Sequence, residues 1–145
     1  MSMHSIGFIY AIGAAITWGL LYVIDQKVLA TTPPVIFMFV VFVMGAMLLA
    51  PIVFSQDVAL ASILALSKPR LLLILSSVIL AVLANYLILT SIQKLGASLA
   101  SIFEISYPFF VFLFGFFILG SELNIYVIMG SVLIFAGSAI IMRFG

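Results

Sequence analysis

Hydrophobic positions run through this chain in long unbroken blocks, and most polar residues stand at the joints between them. About 20 consecutive apolar residues suffice to cross the hydrocarbon core of a bilayer as a helix. Charged residues and prolines cut the chain into five such blocks, over 6–29, 35–54, 71–91, 97–119 and 125–142. Between the first two lies Ala30-Thr31-Thr32-Pro33-Pro34. Its adjacent prolines lack N–H groups and clash with the preceding turn, so no helix continues through them. Lys94-Leu95-Gly96 and Ser121-Glu122-Leu123-Asn124 read as short turns, which make neighbouring helices antiparallel. The segment from Ser55 to Arg70 differs, with N-cap candidates at its start and scattered apolar residues after them. It reads as a short interfacial helix over 57–67, or else as a longer third span that begins with a break at Pro69. The expected fold class is an all-α membrane protein with five transmembrane helices.

Composition sharpens this picture. Of 145 residues, 67% are hydrophobic and 6% charged, and the mean hydropathy of +1.51 excludes an ordinary water-soluble domain. A net charge of +1 offers no basic field for nucleic acid. The chain has no Cys and a single His, His4, so cysteine and histidine metal sites are excluded. No cofactor motif is present, nor a nucleophile with a base beside it, which argues against an enzyme. The first apolar block follows Met1-Ser2-Met3-His4, without Lys or Arg, and is too long for a signal-peptide core. It is expected to be a retained helix.

Lys and Arg excess marks the cytoplasmic side of most membrane proteins. With five spans, Lys68 and Arg70 fall on the N-terminal side, and Lys27, Lys94 and Arg143 on the other. The N-terminal amine cancels even that difference of one. Either the charge rule does not decide this small chain, or the chain inserts both ways and pairs with an inverted copy of itself.

Depth arithmetic then locates the polar side chains. At a rise of about 1.5 Å per residue, Trp18 lies roughly 18 Å along the first helix and Tyr22 about 6 Å deeper. Asn85 and Tyr86 come roughly 21 Å along the third helix, while the fourth, returning from the opposite side, reaches Glu104 after about 10 Å and Tyr107 after about 15 Å. Glu104 is the one carboxylate well inside a span. Such a group costs several kcal/mol unless protonated, paired or facing water, and marks ion or substrate paths. The alternative is a protonated Glu bonded to a neighbour such as Asn85. Pro108 removes the N–H that would bond the Glu104 carbonyl, so a kink is expected beside the acid. Asp25, next to Lys27, reads as a solvated helix end. Gly7, Ala11, Ala14, Trp18, Tyr22 and Asp25 share one helix face, and an aromatic pair beside an acid suits an organic cation. Gly130, Ser131, Gly137 and Ser138 repeat at seven and form a face for close helix packing.

Several segments together carry a family resemblance: Ala15-Ile16-Thr17-Trp18-Gly19, the stretch from Ile92 to Ser101, Pro108 with the phenylalanine-rich run to Glu122, and Gly130 through Gly137. In their order and spacing the chain resembles a single EamA-type repeat of the drug/metabolite transporter superfamily. The resemblance implies a repeat that pairs with a second, inverted one to enclose a central substrate cavity, ten helices in all. The second helix lacks the arginine often found there, and Asp25 with Lys27 replaces a common basic residue. The expected function is therefore a half-size secondary transporter of a small organic metabolite or drug-like solute, in the cell membrane, working by alternating access as an inverted-topology homodimer or with a paralogous half. Trp18, Tyr22, Asn85, Tyr86 and Tyr107 are the candidate substrate-binding residues, and Glu104 the candidate for proton or ion coupling. The rival reading is a non-transporting membrane subunit that packs against another membrane protein.

Overall fold

Long apolar runs become helices because each backbone N–H and C=O must find a partner within its own segment when no water is present. The computed structural model describes residues 3–55, 65–120, 122 and 124–144. In chain order the helices are α1 (Met3–Leu29), α2 (Pro34–Phe54), α3 (Lys68–Leu95), α4 (Ala97–Glu104), α5 (Tyr107–Leu119) and α6 (Ile125–Phe144). The described residues contain no strand. Five segments are long and apolar enough to cross a membrane: Ser5–Leu29, Pro34–Phe54, Lys68–Leu95, Ala97–Leu119 and Ile125–Phe144. The fourth comprises α4 and α5. Helices of this length and composition are those of an integral, multi-pass membrane protein.

Local chemistry sets the helix ends. Pro33 is extended (φ −61°, ψ 139°) and Pro34 opens α2, where a missing N–H costs no helical bond. Pro69 likewise sits in the first turn of α3. Of the interfacial helix expected over 57–67, residues 57–64 lie outside the described residues, and 65–67 form the turn that leads into α3. Gly96 before α4 has φ 83° and ψ 162°, a conformation essentially restricted to glycine. Gly120 ends α5 in the left-handed region with φ 64°, the usual glycine helix stop.

The chain divides into two units, Met1–Val23 with Leu95–Gly145, and Ile24–Lys94. In the second unit, Leu29 at the end of α1 and Leu89 and Ile92 near the end of α3 are buried. Gln93 Nε2 donates to the Leu29 carbonyl at 2.9 Å and lies 3.4 Å from that of Thr32, tying the end of α3 to the turn between α1 and α2. No residue of α2 is buried. In lipid this carries no penalty, because hydrocarbon tails are as apolar as the side chains they touch. Asp25 corrects an expectation: it is only 5% exposed and is not a solvated helix end. It stands three residues after Tyr22 and four before Leu29, both buried, so the inward face of α1 continues through it.

The first unit is held by small residues. Ala97 and Ala100 on α4 and Ser131 and Ser138 on α6 are buried. Ser138 Oγ lies 3.0 Å from the carbonyls of both Ile102 and Ile134, so its one proton serves α4 and its own helix. Phe109 on α5 meets Phe135 on α6 with ring centroids 6.2 Å apart. The seven-residue repeat on α6 splits in two: its serines turn inward, whereas a Cβ added at Gly130 or Gly137 would meet open space. Close packing within the described residues thus uses the serine half of that face.

Candidate functional site

The site lies within the first unit and starts from a helix face with little on it. Ala11, Ala14, Ala15 and Gly19 occupy the positions of α1 around Trp18, so their missing side-chain volume leaves room. Trp18 and Tyr22 close this face one turn apart, their ring centroids 5.7 Å from each other and their planes at 75°. Opposite stand Ser101 and Glu104 of α4, then Ile105 and Tyr107 across the break before α5. Together these residues line a cavity of about 600 Å³, within the range of small-molecule sites. A smaller cavity of about 170 Å³, lined by Phe109, Val132, Phe135 and Ala136, is apolar throughout.

Glu104 is the last residue of α4. Its Oε2 accepts a hydrogen bond from the Tyr22 hydroxyl, which joins α1 to α4 from 82 residues away in sequence. Tyr22 is buried, at 6% exposure, so its hydroxyl needs such a partner. Glu104 itself is exposed toward the cavity. Trp18 and Tyr107 present half or more of their surface, 50% and 60%. The arrangement is a carboxylate fixed on one edge by a phenol and open on the other, between aromatic faces that attract positive charge. It does not resemble a metal cage, since no three His, Cys, Asp or Glu side chains gather among the described residues.

The helix break beside the acid has a local cause. Pro108 cannot donate to the Glu104 carbonyl. Ile105 and Ser106 keep helical angles, and Ile105 N still bonds Ser101 O at 3.0 Å, whereas Ser106 N bonds Phe103 O at 3.2 Å and Phe109 N bonds Ser106 O at 3.1 Å. These three-residue bonds tighten the chain and restart it as α5.

Among the candidate residues, Trp18, Tyr22, Glu104 and Tyr107 meet around one cavity. Asn85 and Tyr86 stand on α3 in the second unit. There Asn85 Nδ2 donates to the Ala81 carbonyl at 2.9 Å, and Tyr86 is 40% exposed. Sequence reasoning missed Ala15, Gly19, Ser101 and Ile105. The first two follow from extending the Ala11, Ala14, Trp18, Tyr22 stripe to its neighbouring four-residue positions. Ser101 follows from Glu104 by one helical turn, and Ile105 stands four residues after Ser101 on the same face.

Neither a curated protein nor a solved structure matches the chain. A family model does, over residues 5–143, which take in every element that builds the cavity: the chain belongs to the EamA-like transporter family.

Proposed function

We propose that the chain is one half of a secondary transporter that moves a small organic cation across the cell membrane by alternating access, as an antiparallel homodimer or with a paralogous half. Family membership points to membrane transport in general. The observation that carries the finer reading is the Glu104 carboxylate, set inside a span and opening on a cavity walled by Trp18, Tyr22 and Tyr107. An acid at that depth belongs to a substrate or ion path, and the indole and phenol rings add cation affinity without a second charge. Pairing with an inverted copy is supported by the near balance of Lys and Arg between the two sides of the chain, and it supplies the second repeat that inverted-repeat transporters use.

Proton and cation then compete for Glu104. The other titratable side chains lining the cavity are the phenols of Tyr22 and Tyr107, so Glu104 is the one carboxyl group of that lining for proton and cation to share. The test uses proteoliposomes with an acidic lumen loaded with a pH-sensitive dye. Benzyltrimethylammonium, a permanent cation that cannot cross unaided, is added outside. Exchange of the cation for protons is expected to alkalinise the lumen, and Glu104→Gln to abolish the signal. A Gln variant that still exchanges protons for the cation would remove Glu104 from the mechanism. A wild type that neither binds nor exchanges the cation would favour a non-transporting subunit.

A further inference from the structure

Tyr22 and Glu104 differ in a way that says which cations the site prefers. The phenol is buried and the carboxylate is exposed, so the two partners of one hydrogen bond face opposite environments. An entering cation that displaced the Tyr22 hydroxyl from Oε2 would disrupt the bond of a buried donor, which is unfavourable. No such displacement is needed. A carboxylate has about four acceptor positions on its two oxygens, and among the described residues the Tyr22 hydroxyl is the one donor that Glu104 receives. Oε1 therefore remains to accept a second donor from the cavity side.

Resting on the transport reading above, we infer that the site selects protonated amines, cations that carry N–H donors, over quaternary ammonium ions, and that Tyr22 is the positioning residue that makes it do so. The Tyr22 hydroxyl engages Oε2 and leaves Oε1 to accept a donor from the solute. The exposed faces of Trp18 and Tyr107 accept the organic body of the ligand whatever its charge type. The rings read positive charge alone, whereas an N–H···O bond to an oriented carboxylate reads the donor. Discrimination therefore resides in Glu104 and in what holds it.

Trp18 is the only tryptophan of the chain and lies against Tyr22 in this cavity, so its fluorescence reports the site without a label. Purified full-length protein is titrated at neutral pH with benzylamine and with benzyltrimethylammonium, which share a ring and a charge and differ in N–H donors. Benzylamine is expected to bind about tenfold tighter or more, the usual weight of a hydrogen bond to a charged group. Tyr22→Phe keeps the ring against Trp18 and is expected to narrow that ratio by about threefold or more, as orientation is lost. Glu104→Asp, which keeps the charge but draws it back from Tyr22, should narrow it too, and serves if the Phe variant fails to fold. Equal affinities in the wild type would overturn amine selection while leaving organic-cation transport standing. An unchanged ratio in Tyr22→Phe would overturn the positioning role. If neither probe changes Trp18 fluorescence or shows heat on titration, the cation reading falls and this inference with it.

Discussion

Glu104 can sit exposed inside a membrane span because one edge of it is already engaged by a phenol and its side chain opens on a cavity. Side chains one shell away should be separable from it by their effects. Trp18→Ala removes an aromatic wall and leaves the carboxylate bond intact, so the affinity for benzyltrimethylammonium should fall about two- to thirtyfold, the span of cation–π contributions from exposed to desolvated sites. Because Trp18 is then absent, calorimetry measures it. Gly96→Ala acts elsewhere: at φ 83° and ψ 162° a Cβ is forced into a glycine-only conformation, at a cost of about 1–3 kcal/mol. Thermal unfolding in detergent should show a lowered midpoint with ligand affinity unchanged. Ser138→Ala removes the bond to the Ile102 carbonyl, and interhelical bonds of this kind in membranes average only about 0.6 kcal/mol. A correspondingly small shift is expected by the same measurement.

The helices themselves were legible in the hydropathy pattern, because twenty apolar residues between charges leave the backbone little choice but to satisfy itself. The site was legible in part. Trp18, Tyr22 and Glu104 stand out as polar or aromatic groups at depth, yet the bond between Tyr22 and Glu104 joins residues 82 apart, and helical periodicity carries no information about which faces meet across such a distance. Asp25 misled for a related reason. A charge near a span end reads as solvated, whereas its burial comes from sharing a face with Tyr22 and Leu29. The break between α4 and α5 puts the site at a joint within the span. Pro108→Ala restores an N–H four residues after Glu104 and should allow α4 to continue into α5. Its expected effect is a gain in thermal stability with a loss of transport rate, measured by the lumenal pH assay. Faster transport in that variant would deny the break a role in the cycle.

For the protein as a unit, the near balance of Lys and Arg makes orientation the variable to perturb. Three added lysines beside Arg143 should fix one orientation, and three beside Lys68 and Arg70 the other. Each variant alone is expected to lose transport, and the two expressed together to regain it. Because the chain has no native cysteine, single cysteines at Ser2 or Arg143 allow impermeant thiol labelling of intact cells to read the orientation directly. Partial labelling of both is expected. Labelling of one terminus alone would mean a fixed orientation, and would turn the search toward an oppositely oriented partner.

The interruption at Ile105 and Ser106 also relocates an electric field. A helix carries about half a negative charge at its C-terminal end. Here that end falls at Glu104 itself. The following helix opposes it with its own positive start at Tyr107, a start weakened because Pro108 has no N–H to offer and the Phe109 N–H is taken by the Ser106 carbonyl. A cation approaching the cavity therefore meets backbone dipoles aligned with the carboxylate, an attraction of about 0.3–1 kcal/mol. An unbroken span would have carried that end roughly 22 Å away to the vicinity of Gly120, beyond the solute's reach.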